Sequence, residues 1–280
     1  MFYKHISLIL VLTLLNDFII DMYKNITKEI NNNGYSVIRD FLSEKDLSKI
    51  HSFLIKSYSH LFHFPNAPSL LGRINNCKIL NTKIKTRIDN LLPYVNEIAL
   101  NKPQIMEIFA KALNIENLEN LKLSEFCDFR MNVPLNSKLR NPTGWHQDIQ
   151  TDYCYFPNQL SYPSATCWIA VSDSNEQNSI QIIPKSHLNR KIYYQDYRNL
   201  NFDPMNLKNS LDWQMPKTIE AKCGDAIIFD QFLWHRTKPN HSSKTRFSID
   251  VRFLDLGTNT PFPDAKPSAF ITIGKLLLFK

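Results

Sequence analysis

The sequence contains few cysteines, and they are spaced too widely to form a recognisable site. Five cysteines occur in 280 residues, and no two of them form a C-x-x-C pair. A zinc ribbon would need such pairs, and a disulfide framework would need an even number of cysteines in a short chain. We therefore expect free, mostly buried thiols in a reducing compartment, and hence a cytoplasmic protein. The cysteines are Cys77, Cys127, Cys154, Cys167 and Cys223.

The N-terminus has no apolar run that is long enough to cross a bilayer. The run "ISLILVLTLL" at residues 6–15 is interrupted by Asn16 and Asp17, whereas a spanning helix needs about 20 apolar residues. It resembles the apolar part of a signal peptide, but no small-x-small cleavage site follows it. Met22 offers a second start. Residues 1–21 are therefore an extension that leaves a signal or an anchor open, and we otherwise expect no membrane association.

The sequence also lacks a clustered basic patch. Its formal net charge of +7 would by itself fit a nucleic-acid partner. The lysines, however, are scattered along the chain, whereas a nucleic-acid site needs a concentrated footprint. We therefore expect no nucleic-acid partner, and a preference for anionic small molecules accounts for the charge equally well.

Neither an internal repeat nor a low-complexity linker divides the chain, so a single domain over residues 22–255 is the simplest interpretation. Its N-terminal third is mostly helical by pattern. One helix is predicted from Ile26 to a stop at Gly34, a second begins at Ser43 with a capping-box arrangement, and a third begins near Pro103. A short strand, "YSVIRDF", separates the first two helices.

The second half of the chain is predicted to be mainly β. Short runs rich in β-branched and aromatic residues follow one another between Pro, Asn, Ser and Asp residues, which is typical of a sandwich or barrel. The fold class is therefore mainly β with flanking helices (α+β), and residues 256–280 are a tail of unknown role. The clearest runs are "SATCWIAV" (164–171), "SIQIIP" (179–184), "DAIIFD" (225–230) and "RFSIDVRF" (246–253).

The stretch "TGWHQDIQTD" places His146 and Asp148 two positions apart. In an extended strand, side chains at i and i+2 point to the same face, with the intervening glutamine turned away. A histidine from another strand would complete a 2-His-1-carboxylate triad, which holds Fe(II) on one face and leaves the other positions open. His235, at the end of the strand-like run "GDAIIFDQFLWH", is the best placed. His187 in a loop and His241 in a polar turn are the other candidates.

The run "RFSIDVRF" alternates strictly between polar and apolar residues. Arg246 begins its polar face, and a hairpin with the strand before it would bring this arginine level with His235. A buried guanidinium needs an anionic partner, and a dicarboxylate would supply bidentate geometry. Thr237, two residues after His235, could add a hydroxyl to that partner. Asp250 and Arg252, on the same face, could pair with each other.

At this point the sequence resembles the phytanoyl-CoA dioxygenase family. The motifs "WHQD", "TCWIAVSDSNEQNSIQIIPKSH" and "GDAIIFDQFLWHRTKPNHSSKTRFS" match its successive motifs in order and spacing, over roughly residues 25 to 255. The resemblance implies a double-stranded β-helix (a jelly roll, cupin-like) and an enzyme that uses Fe(II), 2-oxoglutarate and O2. It assigns iron ligation to His146, Asp148 and His235, and 2-oxoglutarate binding to Arg246, Thr237 and Trp168.

Two departures from the family pattern concern glycines. Where the family has Asn-Gly and Pro-Gly-Ser-His, this chain has Asn178-Ser179 and Pro184-Lys185-Ser186-His187. Because glycine permits positive φ, its loss predicts a reshaped loop at the mouth of the pocket.

The resemblance implies hydroxylation of a C–H bond in a small-molecule metabolite, with release of succinate and CO2. Asp148 favours this outcome, because a small residue there would open a halide position and indicate a halogenase. Two alternatives stay open. One is another metal-dependent cupin-type enzyme, such as an isomerase, which would not need Arg246. The other is a non-catalytic metal- or ligand-binding domain. The substrate and the oligomeric state are not indicated by the sequence.

Overall fold

The computed structural model describes residues 24–79, 87–88, 103–136, 143–149, 163–193, 199–207, 213–255 and 257. The predicted extension at 1–21 and all but one residue of the predicted tail at 256–280 lie outside these ranges. The helices are α1 (24–33), α2 (Glu44–Tyr58), α3 (Leu70–Asn75) and α4 (Pro103–Ala112). The strands are β1 (Tyr35–Ile38), β2 (Phe62–His63), β3 (Lys78–Ile79), β4 (Arg87–Ile88), β5 (Leu121–Asn132), β6 (Ser164–Ala170), β7 (Ile180–Ile182), β8 (Lys217–Ile219), β9 (Ala226–Asp230), β10 (His235–Thr237) and β11 (Arg246–Asp255).

The helix boundaries follow the local signals of the sequence. Helix α1 stops at Gly34, whose φ of +88° belongs to the region that favours glycine. A Cβ at this position would lie 2.5 Å from Leu233 Cδ1, so the close approach of the chain also requires glycine. The side chain of Ser43 caps α2 by accepting a hydrogen bond from the Asp46 amide at 3.2 Å. Helix α4 begins at Pro103, as predicted.

Two antiparallel sheets form a jelly roll, the double-stranded β-helix that the resemblance implied. The larger sheet has the strand order β1-β9-β6-β11-β5-β4, and the smaller has the order β10-β7-β8. Strands β2 and β3 pair separately. The four predicted strand runs correspond to β6, β7, β9 and β11.

Alternation along the larger sheet separates two cores. Cys167 and Ile169 of β6 and Val251 of β11 belong to the core that includes residues of the helices. Trp168, on the opposite face of β6, packs in a second core with Ile182 of the smaller sheet. The polar side chains that alternate with the apolar core residues of β11 therefore belong to the face that looks toward the smaller sheet.

Strands β10 and β11 do not form the hairpin that would have brought Arg246 level with His235. Strand β10 pairs with β7 along one edge and forms a bridge with residue 146 along the other. Strand β11 lies between β5 and β6. Because both edges of each strand already have partners, the segment between them crosses from the smaller to the larger sheet. The Asn240 side-chain amide holds this crossing by donating to the carbonyl of Asn132 at 2.7 Å.

Among the helices in the described ranges, none combines the length and apolar character needed to cross a membrane. Free thiols are confirmed for Cys77, Cys167 and Cys223, the first two of them buried. The same prediction for Cys127 and Cys154 lies outside the described side chains.

Candidate metal centre

Two histidines face each other across a short main-chain bridge. The His146 amide donates to the His235 carbonyl at 3.0 Å, and the His235 amide donates to the His146 carbonyl at 3.0 Å. The two imidazole rings lie side by side, with their centroids 4.2 Å apart. The backbone itself therefore fixes the spacing of the two rings.

Asp148 reaches the same space by a different route from the one predicted. The chain turns helical at Asp148 instead of continuing as an extended strand. Gln147 does point away, as expected, and its buried amide nitrogen donates to the carbonyls of Phe232 at 2.8 Å and Lys191 at 3.1 Å. Because a buried amide must be hydrogen-bonded, these contacts fix the turn that carries Asp148 inward.

The side chains of His146, Asp148 and His235 converge on one point. Each offers a ligand atom, and these atoms all lie within 4.8 Å of one another. Oδ1 of Asp148 is 3.6 Å from His235 Nε2 and 4.0 Å from His146 Nε2. All three residues are buried, with exposed fractions between 5% and 8%. The arrangement could hold a metal ion through two imidazole nitrogens and one carboxylate oxygen.

Hydrogen bonds to the backbone set the tautomer of both imidazoles. Nδ1 of His146 lies 2.8 Å from the Gly144 carbonyl, and Nδ1 of His235 lies 3.0 Å from the Leu233 carbonyl. A carbonyl can only accept, so each Nδ1 carries the proton and donates. With the proton of the neutral form on Nδ1, the lone pair of Nε2 is the one directed to the centre, as in metal-binding histidines. The donor set therefore fits a divalent transition metal.

The electrostatics of the centre keep the ligand atoms of His146 and Asp148 free of protons. Burial is the main cause that lowers the pKa of His146 to about 3, and the neighbouring His235 lowers it further. Burial alone would raise the pKa of Asp148, but Arg252, the two histidines and Thr166 together hold it below its usual range. At neutral pH the imidazole of His146 and the carboxylate of Asp148 are therefore in the states that bind metals.

Two neighbours of Asp148 were not identified from the sequence. Arg252 Nη2 lies 2.9 Å from Asp148 Oδ1, and the Thr166 hydroxyl donates to Asp148 Oδ2 at 2.5 Å. The predicted pairing of Arg252 with Asp250 is wrong, because Asp250 forms an ion pair with Arg130. The alternation of β11 indicated the face on which Arg252 lies. It contained no information on the partner, which comes from another part of the chain.

Arg246 is fully enclosed on the same face of β11. It is 2% exposed, and its Nε donates to the Asn178 carbonyl at 3.2 Å. Its Nη1 donates to the Ser248 hydroxyl at 2.6 Å. Burial lowers the pKa of Arg246 to about 10, so the guanidinium keeps its charge at neutral pH. A buried cation held by uncharged hydrogen-bond acceptors is well prepared to bind an anion.

The other two residues that the resemblance assigned to 2-oxoglutarate binding, Trp168 and Thr237, differ from each other in burial and in their neighbours. Trp168 is 3% exposed, and the guanidinium carbon of Arg246 lies 5.1 Å from the centroid of its ring. It therefore serves both as a core residue and as a wall beside Arg246. Thr237 is half-buried on β10, opposite Ile180 of β7 and two residues after His235. Its position on the same side of the strand as His235 follows from the strand period.

The remaining candidate histidines do not join the centre. His187 is buried, and its Nε2 lies 3.1 Å from the Asn31 carbonyl at the end of α1. His241 is exposed in the crossing segment.

The loop before His187 departs less from the family pattern than predicted. Lys185 has a φ of +68°, so a lysine adopts the backbone conformation that the family's glycine would favour. Its amide donates to the Asn33 carbonyl at 3.0 Å, which anchors the loop to the end of α1. The prediction of a reshaped loop is therefore wrong at Lys185, where the left-handed conformation is kept without the glycine.

Solved structures with the same architecture include two complexes with 2-oxoglutarate, one of which also contains iron. The epimerase SnoN, in complex with Fe3+, alpha ketoglutarate and nogalamycin RO, is 14% identical with a TM-score of 0.59, over 89% of this chain and 93% of SnoN. EvdO2 from Micromonospora carbonacea var. aurantiaca, complexed with 2-oxoglutarate, is 16% identical with a TM-score of 0.58, over 87% of this chain and 94% of EvdO2. The alpha ketoglutarate dependent carbocyclase SnoK from nogalamycin biosynthesis is 17% identical with a TM-score of 0.54, over 83% of each chain. At these identities the likeness shows the fold.

The sequence itself establishes the family. No curated protein sequence matches the chain. The family model described as phytanoyl-CoA dioxygenase (PhyH), however, matches residues 30–248. That span includes His146, Asp148, His235 and Arg246. Together with the jelly roll and the triad, the match means that this chain belongs to the phytanoyl-CoA dioxygenase family.

Proposed function

We propose that the protein is an Fe(II)- and 2-oxoglutarate-dependent oxygenase that hydroxylates a C–H bond of a small-molecule metabolite. The observation that supports this function best is the convergence of two imidazole nitrogens and one carboxylate oxygen in a buried space, within 4.8 Å of one another. This donor set is the facial triad of non-haem Fe(II) oxygenases, which leaves the remaining positions free for cosubstrate and oxygen.

In this proposal His146, Asp148 and His235 hold the iron. When bound, Fe(II) supplies the redox chemistry by which O2 converts 2-oxoglutarate to succinate and CO2, and one oxygen atom enters the substrate. The protein contributes fixed ligand positions and a site that excludes water. The bridge between residues 146 and 235 fixes the two imidazoles.

Arg246 binds the far carboxylate of 2-oxoglutarate in this proposal, with Trp168 as a wall and Thr237 as an additional hydroxyl. The buried guanidinium is charged, and its described hydrogen-bond partners, Asn178 and Ser248, are neutral. The carboxylate of Asp250 acts on this guanidinium through space, and a further carboxylate could bind it directly with bidentate geometry. A cupin-type isomerase that does not use 2-oxoglutarate would not need a buried arginine at this position.

Hydroxylation is the outcome that Asp148 favours, because the carboxylate occupies the ligand position that a halide would need. The solved relatives include an epimerase and a carbocyclase, so the fold admits more than one fate for the activated substrate. The reaction outcome depends on which bond of the substrate lies next to the metal. The fold alone therefore does not determine it.

The test is a reconstitution without oxygen, in which the full chain is loaded with Fe(II) and then given 2-oxoglutarate and oxygen. We expect slow formation of succinate even without the substrate, and none from Asp148→Ala. The control is Asp203→Ala, which removes an exposed carboxylate outside the centre and should keep the activity. The proposal is wrong if the parent forms no succinate and 2-oxoglutarate with metal fails to raise its melting temperature.

A further inference from the structure

A buried glutamine lies between two of the candidate metal ligands and joins them to another segment of the chain. Gln147 is 0% exposed, and its Oε1 accepts a hydrogen bond from the Tyr193 amide at 3.0 Å. Its Nε2 donates to the carbonyls of Phe232 at 2.8 Å and Lys191 at 3.1 Å. One side chain therefore ties residues 191–193 to the turn between the two ligands.

The same segment also packs against the chain beside both histidines of the centre. A tryptophan precedes each of them, Trp145 before His146 and Trp234 before His235. Both indoles are buried in a third apolar core, and the ring of Tyr193 packs against this core. The centroid of the Tyr193 ring lies 5.7 Å from that of Trp234. The segment thus contacts the parts of the chain that carry all three candidate ligands.

The docking of residues 191–193 depends on the position of the Gln147 side chain. These residues have no regular secondary structure, and Lys191 is exposed. Irregular, exposed backbone opens locally more easily than the strands of a sheet. Two of its backbone groups, the Lys191 carbonyl and the Tyr193 amide, bond to the buried amide of Gln147. Displacing that amide would leave buried polar groups unpaired, which is costly.

We propose that Gln147 is a positioning residue that couples the docking of residues 191–193 to metal binding. A metal ion that holds His146 and Asp148 also fixes the backbone of the residue between them, so the Gln147 amide stays where it bonds the segment. Such coupling is reciprocal, and the docked segment therefore strengthens ion binding by the same factor. This inference rests on the metal site of the proposed function and does not depend on the reaction that the metal supports.

The test is hydrogen exchange of backbone amides in the full chain, measured by NMR with and without Zn(II). This diamagnetic ion binds imidazole nitrogens and carboxylate oxygens. We expect Zn(II) to slow exchange of the Tyr193 amide by about 5- to 150-fold, the usual range of coupling between two sites. The Lys185 amide, which bonds to the Asn33 carbonyl, reports the general stabilisation of the fold and should slow less.

Gln147→Met fills a similar space without a donor or an acceptor. We expect it to remove the excess slowing of the Tyr193 amide over the Lys185 amide, and to weaken Zn(II) binding by a similar factor. The matched control is Gln181→Met, which removes a half-buried glutamine that accepts from Arg236 Nε at 2.9 Å and should keep the excess. A variant that only destabilised the fold would speed exchange with and without the ion, and the excess would remain.

An excess that persists in Gln147→Met would overturn the inference. If that variant does not fold, Gln147→Glu takes its place, because it keeps an acceptor for the Tyr193 amide and loses the amide donor to the two carbonyls. We expect a smaller excess from it, and an undiminished excess would equally overturn the inference. A parent that binds Zn(II) without any excess at Tyr193 contradicts the coupling alone, whereas a parent that binds no Zn(II) contradicts the proposed metal site as well.

Discussion

The imidazole of His146 links the stability of the metal-free protein to pH. Its pKa falls from 6.5 to about 3 on folding, first because it is buried and then because His235 lies beside it. Below pH 6.5 the unfolded chain therefore binds a proton that the folded protein does not bind. The stabilising contribution of a neutral His146 is fully present above pH 6.5 and is lost as the pH falls toward 3.

We accordingly expect the free energy of unfolding to fall below pH 6.5, with His146 contributing about 1.4 kcal/mol per pH unit at most. The measurement is urea unfolding in the presence of a chelator, from about pH 8 to about pH 5. His146→Asn should have a shallower slope than the parent. His51 and His187, whose pKa values burial also lowers, contribute to both proteins and cancel in the difference. Equal slopes would contradict the prediction.

At the scale of an element, the loop that follows β7 and contacts the C-terminal end of α1 keeps a backbone conformation that its sequence disfavours. Lys185 has a φ of +68°, and a side chain in this region costs about 1 to 2 kcal/mol relative to the right-handed conformation. Glycine would remove that cost, although it gains more entropy in the unfolded chain. We expect Lys185→Gly to raise the free energy of unfolding by up to about 1 kcal/mol.

Chemical denaturation of the Lys185→Gly protein measures this change directly. Lys191→Gly is the matched control, because Lys191 is an exposed lysine of the same loop region without a positive φ. There the substitution should lower the stability by about 0.5 to 1 kcal/mol. If both variants lose stability to the same extent, the left-handed conformation at Lys185 costs nothing measurable.

Local patterns predicted the elements well where a single segment contains the whole signal. The cap at Ser43, the stop at Gly34 and the strict alternation of β11 all depend on near neighbours, and the structure confirms each of them. The hairpin considered for β10 and β11 does not form, because their partners are β7 for β10, and β5 and β6 for β11. Which strands pair with the two edges of a given strand depends on the whole sheet, and no short stretch of sequence encodes it.

In the candidate centre, too, features within one segment could be predicted from the sequence, whereas contacts between segments could not. The spacing of His146 and Asp148 and the strand end at His235 were visible in the sequence, and the structure brings these three residues together. The contact of Arg252 with Asp148 was not visible, because it joins residues on two segments that only the closed jelly roll brings into contact. A charged residue on a known face can thus be placed from sequence, but its partner cannot.

At the scale of the whole molecule, metal binding should stabilise the entire fold. The three ligands come from two distant segments, so the unfolded chain has no preformed site, and binding adds to the free energy of unfolding. At a free metal concentration one hundred times the dissociation constant the gain is about 2.7 kcal/mol. For a chain of this size we expect a rise in melting temperature of about 5 °C or more.

Thermal unfolding with Mn(II) or Co(II), and again after addition of a chelator, measures this effect. His235→Gln should lose the metal-dependent shift, whereas His241→Gln, a change to an exposed histidine, should keep it. If the ion stabilises both variants equally, it binds somewhere other than the triad.

The bridge between residues 146 and 235 also has a consequence for when a metal ion can bind during folding. Two segments far apart along the chain must dock before either imidazole has its final neighbour, and such long-range contacts form slowly. We therefore expect the ion to bind after the two segments have docked, and not to nucleate folding as it does in a zinc finger. The rate at which a refolding chain takes up the metal would thus report the rate at which the jelly roll is completed.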